Sequence, residues 1–211
     1  MWLALIGFHL VGLVGFNLLL RKSVLNKVDK VTLATVLQTG IAIPAVVLLV
    51  ARSPQFSIFS PTDLALIASA VLLTIGLQAT NVKALQYLEA SVFSILYNLR
   101  IILTTILGIL FLNEAVVWLR ISGGIFILLA IIIVKQRGSH LVKTRGIGWG
   151  IAAAFVLSFL NLTEKLLINN VGFFNYFPLV SVIAAIIMWT YLLSAKRSVD
   201  KGLLLQPKML Q

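Results

Sequence analysis

The stretch ASVFSILYNLRIILTTILGILFL, residues 90–112, decides the fold of this chain. Its 23 residues include 14 Val, Ile, Leu or Phe, and a helix of that length spans a bilayer core of roughly 30 Å. Arg100 stands near its middle, where a charge costs about 2.5 to 3.5 kcal/mol, whereas the apolar side chains together favour insertion by roughly 4 to 8 kcal/mol. The stretch therefore predicts a transmembrane helix that carries a charge for a functional reason.

The composition of the whole chain points to the membrane. Hydrophobic residues make up 60% of it and charged residues only 11%, whereas charged residues make up about a quarter of soluble proteins. The net charge of +11 is expected in the loops between spans, so it does not indicate nucleic-acid binding. Seven apolar segments have helix-spanning length and predict an all-α polytopic bundle of about seven transmembrane helices: 2–20, 31–51, 64–82, 90–112, 116–134, 147–168 and 173–193.

Enzymatic and cofactor motifs are missing from the sequence. It has no Walker loop, no H-E-x-x-H and no G-x-S-x-G, its two His residues cannot form a three-His metal site, and it has no Cys. We therefore expect neither catalysis nor a cofactor.

The loop charges predict an orientation in a cell membrane, either inner or plasma membrane. With alternating helices, 13 of the 17 Lys and Arg residues fall on one side of the bilayer. The positive-inside rule then places the first loop and the C-terminal tail in the cytoplasm and Met1 outside.

A weak internal repeat has a period of 143 residues, which aligns Gly7 with Gly150 and Lys22 with Lys165. Five helices separate the two starts, and an odd number of helices inverts the second copy, as in many secondary transporters. A chance match between Leu-rich segments is the alternative.

The segment from Ala84 to Val134 resembles the EamA-type transporters of the drug/metabolite transporter superfamily. The resemblance rests on Ala-Leu-Gln-Tyr-Leu-Glu-Ala-Ser at 84–91, on Leu-Asn-Glu at 112–114 and on Gly123. It implies a permease for small organic solutes, with a central cavity between two inverted five-helix halves. Members usually have ten helices with both termini in the cytoplasm, so this chain looks shortened, and its loop charges disagree with the family about the N-terminus.

The resemblance implies a division of the chain into four parts. These are a five-helix EamA-like unit (1–134), a basic loop (135–146), the first two helices of a second, inverted unit (147–193) and a basic tail (194–211). With the second unit incomplete, the chain would work as a homo-oligomer, or its transport competence is in doubt.

A stripe of residues at three- and four-residue spacing marks one face of the fourth span: Phe93, Tyr97, Arg100, Thr104, Gly108 and Phe111. The planar guanidinium of Arg100 matches a carboxylate or phosphate, so an anionic or zwitterionic solute is expected. The alternative is that Arg100 pairs with an acid or with carbonyl groups and only fixes helix packing. The candidate solute-binding residues are Arg100, Tyr97, Thr104, Asn98, Asn17 and Gln78, although each amide alone favours an interhelical hydrogen bond.

Other polar and small residues have competing interpretations. Glu114 is a possible coupling site, but a helix boundary is the more common role for a carboxylate at this position. Lys165 ends a span, where a long amine reaches the interface. Gly146, Gly150, Ala154 and Ser158 form a small-residue row, which predicts a packing seam with the first helix or with another protomer.

The leading hypothesis is a permease for a small organic solute that works by alternating access, with proton coupling or exchange left open. The rival is a non-transporting membrane accessory or scaffold subunit, or an inactive truncated carrier. The expected partners are membrane lipid, a small solute and a second copy of the chain.

Overall fold

The computed structural model describes residues 29–52, 59–115, 117–137 and 144–195, and over these ranges the chain forms only helices. The helices are α1 (Lys30–Arg52), α2 (Pro61–Tyr87), α3 (Ala90–Tyr97), α4 (Leu99–Leu112), α5 (Trp118–Arg137), α6 (Thr144–Val171) and α7 (Phe173–Ser194). The expected all-α bundle is thereby confirmed. The first apolar segment, 2–20, lies outside the described residues.

Five described segments are long and apolar enough to cross a membrane: Lys30–Ala51, Pro61–Tyr87, Ala90–Leu112, Arg145–Val171 and Phe173–Ser194. Large apolar side chains cover their outer surfaces, and Leu72 and Leu110, for example, are more than two-thirds exposed. Such exposure suits a surface that meets lipid. The protein is an integral membrane protein.

The start of α2 follows directly from its sequence. Ser60 caps the helix, Pro61 occupies its first turn, and the Asp63 backbone N–H donates to Ser60 Oγ at 3.2 Å. In return the Ser60 backbone N–H donates to Asp63 Oδ2 at 3.1 Å, which completes a capping box.

The span over 90–112 contains a local irregularity at Asn98, where one uninterrupted helix was expected. Asn98 stands between α3 and α4 with φ −69° and ψ −12°, and its carbonyl accepts from the Ile101 backbone N–H at 3.0 Å. This three-residue spacing tightens the turn locally. The chain still runs as one apolar segment from Ala90 to Leu112.

The bundle is organised around α2, α6 and α7. Asn170 Nδ2 donates to Asp63 Oδ1 at 3.1 Å at one end of the α2–α6 pair, and Gly146 lies against Leu88 at the other end, so these helices run antiparallel. Two clusters of buried apolar side chains result. One centres on Leu85, Leu88 and Phe93, and the other on Val71, Leu160 and Leu167.

The small-residue row of α6 forms a packing seam, as the sequence predicts. A Cβ atom at Gly146 would lie 2.7 Å from Leu88 Cγ, and one at Gly150 would lie 3.0 Å from Leu96 Cδ1. Ala154 and Ser158 are completely buried. Within the described residues the row contacts Leu88, Leu96 and the Arg100 carbonyl, so its small side chains let α6 approach the segment from the end of α2 to α4. Contact of the row with the first predicted helix or with another protomer stays a prediction.

Candidate functional site

Helices α4 and α6 run parallel and together carry a polar cavity. Ser158 of α6 donates to the Arg100 carbonyl of α4 at 3.2 Å, and further along both helices Lys165 contacts Glu114. The cavity has a volume of about 540 Å³ and opens onto the surface of the protein. It is lined by Arg100, Ile101, Thr104, Thr105, Glu114, Asn161 and Lys165.

The guanidinium of Arg100 packs against an aromatic ring. Its guanidinium carbon lies 5.0 Å from the Tyr97 ring centroid, and the Tyr97 ring in turn lies 5.2 Å from that of buried Phe93. A cation over a π face within about 6 Å is attracted by the ring quadrupole. Among the residues that the structure describes, none with a carboxylate forms an ion pair with Arg100. The charge is therefore positioned by Tyr97, and Arg100 lines the cavity.

Glu114 is positioned by the turn that ends α4. Asn113 adopts a left-handed conformation with φ 50° and ψ 37°, and the Glu114 backbone N–H reaches back to the Gly108 carbonyl at 3.3 Å. A residue in the left-handed conformation is a common way to end a helix. The turn folds the Glu114 carboxylate over Gly108, where a Cβ atom would lie only 3.1 Å from Glu114 Cδ. Gly108 thus leaves the room that the carboxylate occupies.

The carboxylate of Glu114 joins α4 to α6. Lys165 Nζ donates to Glu114 Oε1, and the two side chains are 48% and 25% exposed. Deeper in the cavity Asn161 Nδ2 lies 3.4 Å from Thr104 Oγ1. At neutral pH the described lining carries two cations, Arg100 and Lys165, and one anion, Glu114, which leaves a net charge of +1.

The remaining sequence candidates lie elsewhere. Gln78 is buried and donates to Gln38 Oε1 at 3.2 Å, while Gln38 donates to the Ser181 carbonyl, so Gln78 belongs to a network between α1, α2 and α7. Asn98 occupies the turn before α4 and does not line the cavity. Asn17 lies outside the described residues. Whether any of the candidates binds a solute stays a prediction.

Helix α6 contributes more to the cavity than the sequence predicts. The sequence predicts that Lys165 reaches the interface from the end of a span, yet Lys165 and Asn161 both line the cavity with Arg100. The available signal was their spacing: Asn161 and Lys165 follow Ser158 at three and then four residues, so they extend the face of the small-residue row. In the described ranges no three His, Asp or Glu side chains lie close enough together to hold a metal ion.

A family model described as the EamA-like transporter family matches residues 1–136 of the chain. No curated protein and no solved structure matches it. The matched region includes Arg100, Thr104 and Glu114, and it ends before α6 begins.

Proposed function

Because this chain belongs to the EamA-like transporter family, we propose that it is a permease for a small anionic or zwitterionic solute, with the α4–α6 cavity as its binding site. The observation that carries the proposal is Arg100, a fixed charge within an apolar span that faces a cavity. Charges inside transmembrane segments are costly and mark solute or ion pathways.

The chemistry of the cavity favours a carboxylate-bearing solute. The guanidinium of Arg100 offers paired donors that fit the two oxygens of a carboxylate, and Lys165 adds a second positive charge. Glu114 would accept a solute ammonium group at the other end. An amino acid or a similar zwitterion satisfies all three charges, whereas a simple carboxylate satisfies only the two cations.

The position of the cavity suits one step of alternating access. It extends from the depth of Arg100 to the helix end that bears Glu114 and Lys165, which the loop charges predict to face outside. A solute that enters there would be released when the opposite end opens, as the alternating-access hypothesis requires. The Glu114–Lys165 pair stands at the mouth, where an entering solute would meet it first.

The test is solute flux into proteoliposomes, with a panel of labelled amino acids, monocarboxylates and organic amines as probes. We expect uptake of one of the carboxylate-bearing classes, and we expect Arg100→Ala to reduce it at least tenfold because the main anion contact is lost. Arg145→Gln is the matched control, since Arg145 is exposed at the start of α6 and does not line the cavity.

Two outcomes would contradict the proposal. No flux of any probe with the folded wild-type protein would favour the rival, a non-transporting accessory subunit. Equal flux by wild type and Arg100→Ala would remove Arg100 from the solute pathway while leaving the permease intact. Flux measured with and without a pH gradient distinguishes proton coupling, in which the gradient stimulates uptake, from solute exchange, in which it does not.

A further inference from the structure

A second cavity lies on the side of the bundle formed by α1, α2 and α7. Its volume is about 490 Å³, within the range of ligand pockets, and its walls are almost entirely apolar. Val31 and Ala34 come from α1, Ile75 and Ala79 from α2, and Met188 from α7. It shares no lining residue with the α4–α6 cavity.

The polar side chains of this cavity all come from the same end of the bundle. Lys30 begins α1, Lys83 is near the end of α2, and Tyr191 is near the end of α7. Because α1 and α7 run opposite ways along the bundle, as do α1 and α2, these three positions meet at one level. Lys83 Nζ lies 4.3 Å from the ring centroid of Trp149, which is near the start of α6 and so at this same end of the bundle.

This distribution matches the shape of a phospholipid. An acyl chain is apolar along its length and ends in a phosphate, and the groove is apolar along its length and has two lysines, Lys30 and Lys83, at one end. The lysine end is also the end that the loop charges predict to face the cytoplasm. The cytoplasmic leaflet is the one that carries anionic lipids, and each Lys or Arg near it adds to the attraction.

From these observations we propose that the α1–α2–α7 groove binds an anionic phospholipid, with an acyl chain against Ala34, Ala79 and Met188 and the phosphate between Lys30 and Lys83. The proposal commits to lipid, because a free phosphate would use the lysines but would leave the apolar wall without an occupant. It does not depend on the solute cavity, so it can fail or hold separately from the permease proposal.

The test is native mass spectrometry of the full, delipidated chain in detergent, titrated with dimyristoyl phosphatidylglycerol. Dimyristoyl phosphatidylcholine has the same acyl chains but no net charge, so it tests the role of headgroup charge. Glycerol 3-phosphate has a phosphate but no acyl chain, so it tests the role of the acyl chain. We expect phosphatidylglycerol to bind at least tenfold more tightly than either. Lys30→Gln and Lys83→Gln should each weaken that binding roughly fivefold and the double variant roughly thirtyfold, which corresponds to about 1 kcal/mol per lysine.

A second variant fills the groove without changing its charge. Ala79 lines the groove and is exposed, so Ala79→Phe places a ring inside the cavity without entering the packed core, and phosphatidylglycerol binding should fall at least tenfold. The matched controls are Arg145→Gln for charge and Leu110→Phe for bulk, because both positions are exposed and lie outside the groove. Neither control should change the affinity.

Several results would overturn the proposal. Equal affinity for the two lipids, or for glycerol 3-phosphate and phosphatidylglycerol, would show that the groove does not recognise an anionic lipid. So would unchanged phosphatidylglycerol binding in the Lys30→Gln, Lys83→Gln double variant. A loss of dimer mass in Ala79→Phe with unchanged lipid binding would assign the groove to a second copy of the chain.

Discussion

Gly108 shows how the absence of one side chain shapes the cavity. The carboxylate of Glu114 lies where a Cβ atom at position 108 would project, and it is held there by Lys165. The sequence alone suggested only that Gly108 shares a face with Arg100 and Thr104. The left-handed turn at Asn113, which returns Glu114 to that face, could not be read from the spacing because a turn breaks the helical period.

We expect Gly108→Ala to displace the Glu114 carboxylate and so to alter solute affinity with little change in stability. The Glu114–Lys165 pair is partly exposed, and such pairs contribute about 1 kcal/mol or less, an amount similar to the helix propensity gained from Ala. Uptake kinetics and the melting temperature by circular dichroism measure the two effects. The control is Gly123→Ala, where an added Cβ meets no atom within 4 Å. The same change in affinity in both variants would rule out a specific role for the space at Gly108.

Glu114→Gln tests which solute charge the cavity recognises. Removal of this carboxylate raises the formal charge of the described lining from +1 to +2. We expect the affinity for a simple carboxylate to rise severalfold and the affinity for an amino acid to fall severalfold, because the ammonium contact is lost. Competition between the two probes in the flux assay measures both affinities. If the affinities for both probes changed in the same direction, Glu114 would not be the contact for a solute ammonium group. Loss of all uptake would instead indicate a coupling role for Glu114.

At the scale of the helices, the length of each apolar run predicts well that a helix is present, but it does not predict which helices pack against one another. The predicted segments agree with the observed helices to within five residues at each end: 31–51 with α1, 64–82 with α2, 147–168 with α6 and 173–193 with α7. The pairing of α4 with α6 was not predicted. It depends on Gly146, Gly150 and Ser158 meeting particular side chains across the bundle, and a periodic pattern on one helix does not name its partner.

Gly146 and Gly148 offer a matched test of the α6 seam. We expect Gly146→Ala to destabilise the protein by about 1 to 3 kcal/mol, because the new Cβ would lie 2.7 Å from Leu88 Cγ and Leu88 is 2% exposed. Gly148→Ala, two residues away with no atom within 4 Å, should be neutral or stabilising by up to about 1 kcal/mol. Thermal unfolding followed by circular dichroism compares them. An equal melting temperature for the two variants would mean that the seam tolerates a larger separation.

At the scale of the whole molecule, the charges divide the bundle into two ends. Lys30, Lys83 and Arg145 mark one end, and Glu114 and Lys165 mark the other. The composition predicts a membrane protein. The alternating direction of successive helices predicts which charged residues lie at the same end of the bundle. Which end faces the cytoplasm stays a prediction, since the loop charges and the habit of the family disagree.

The orientation can be measured directly because the chain contains no Cys. We expect Asn169→Cys, which is exposed at the Glu114 end, to react with a membrane-impermeant maleimide on intact cells. Arg145→Cys, which is exposed at the opposite end, should react only after permeabilisation. The reverse pattern would place the basic end outside, and it would also remove the cytoplasmic leaflet from the lipid proposal.

The cavity takes its charges from two parts of the chain that differ in how recognisable they are. Arg100 and Glu114 lie inside the stretch that identifies the family, whereas Lys165 lies on α6 beyond it. Two proteins with the same first 136 residues but different residues at the position of Lys165 would therefore share one family signature and differ in the charge that they present to a solute. Classification by the first 136 residues would then group such chains by evolutionary relationship and not by substrate. The residue at position 165 would be the better guide to which solute each chain carries.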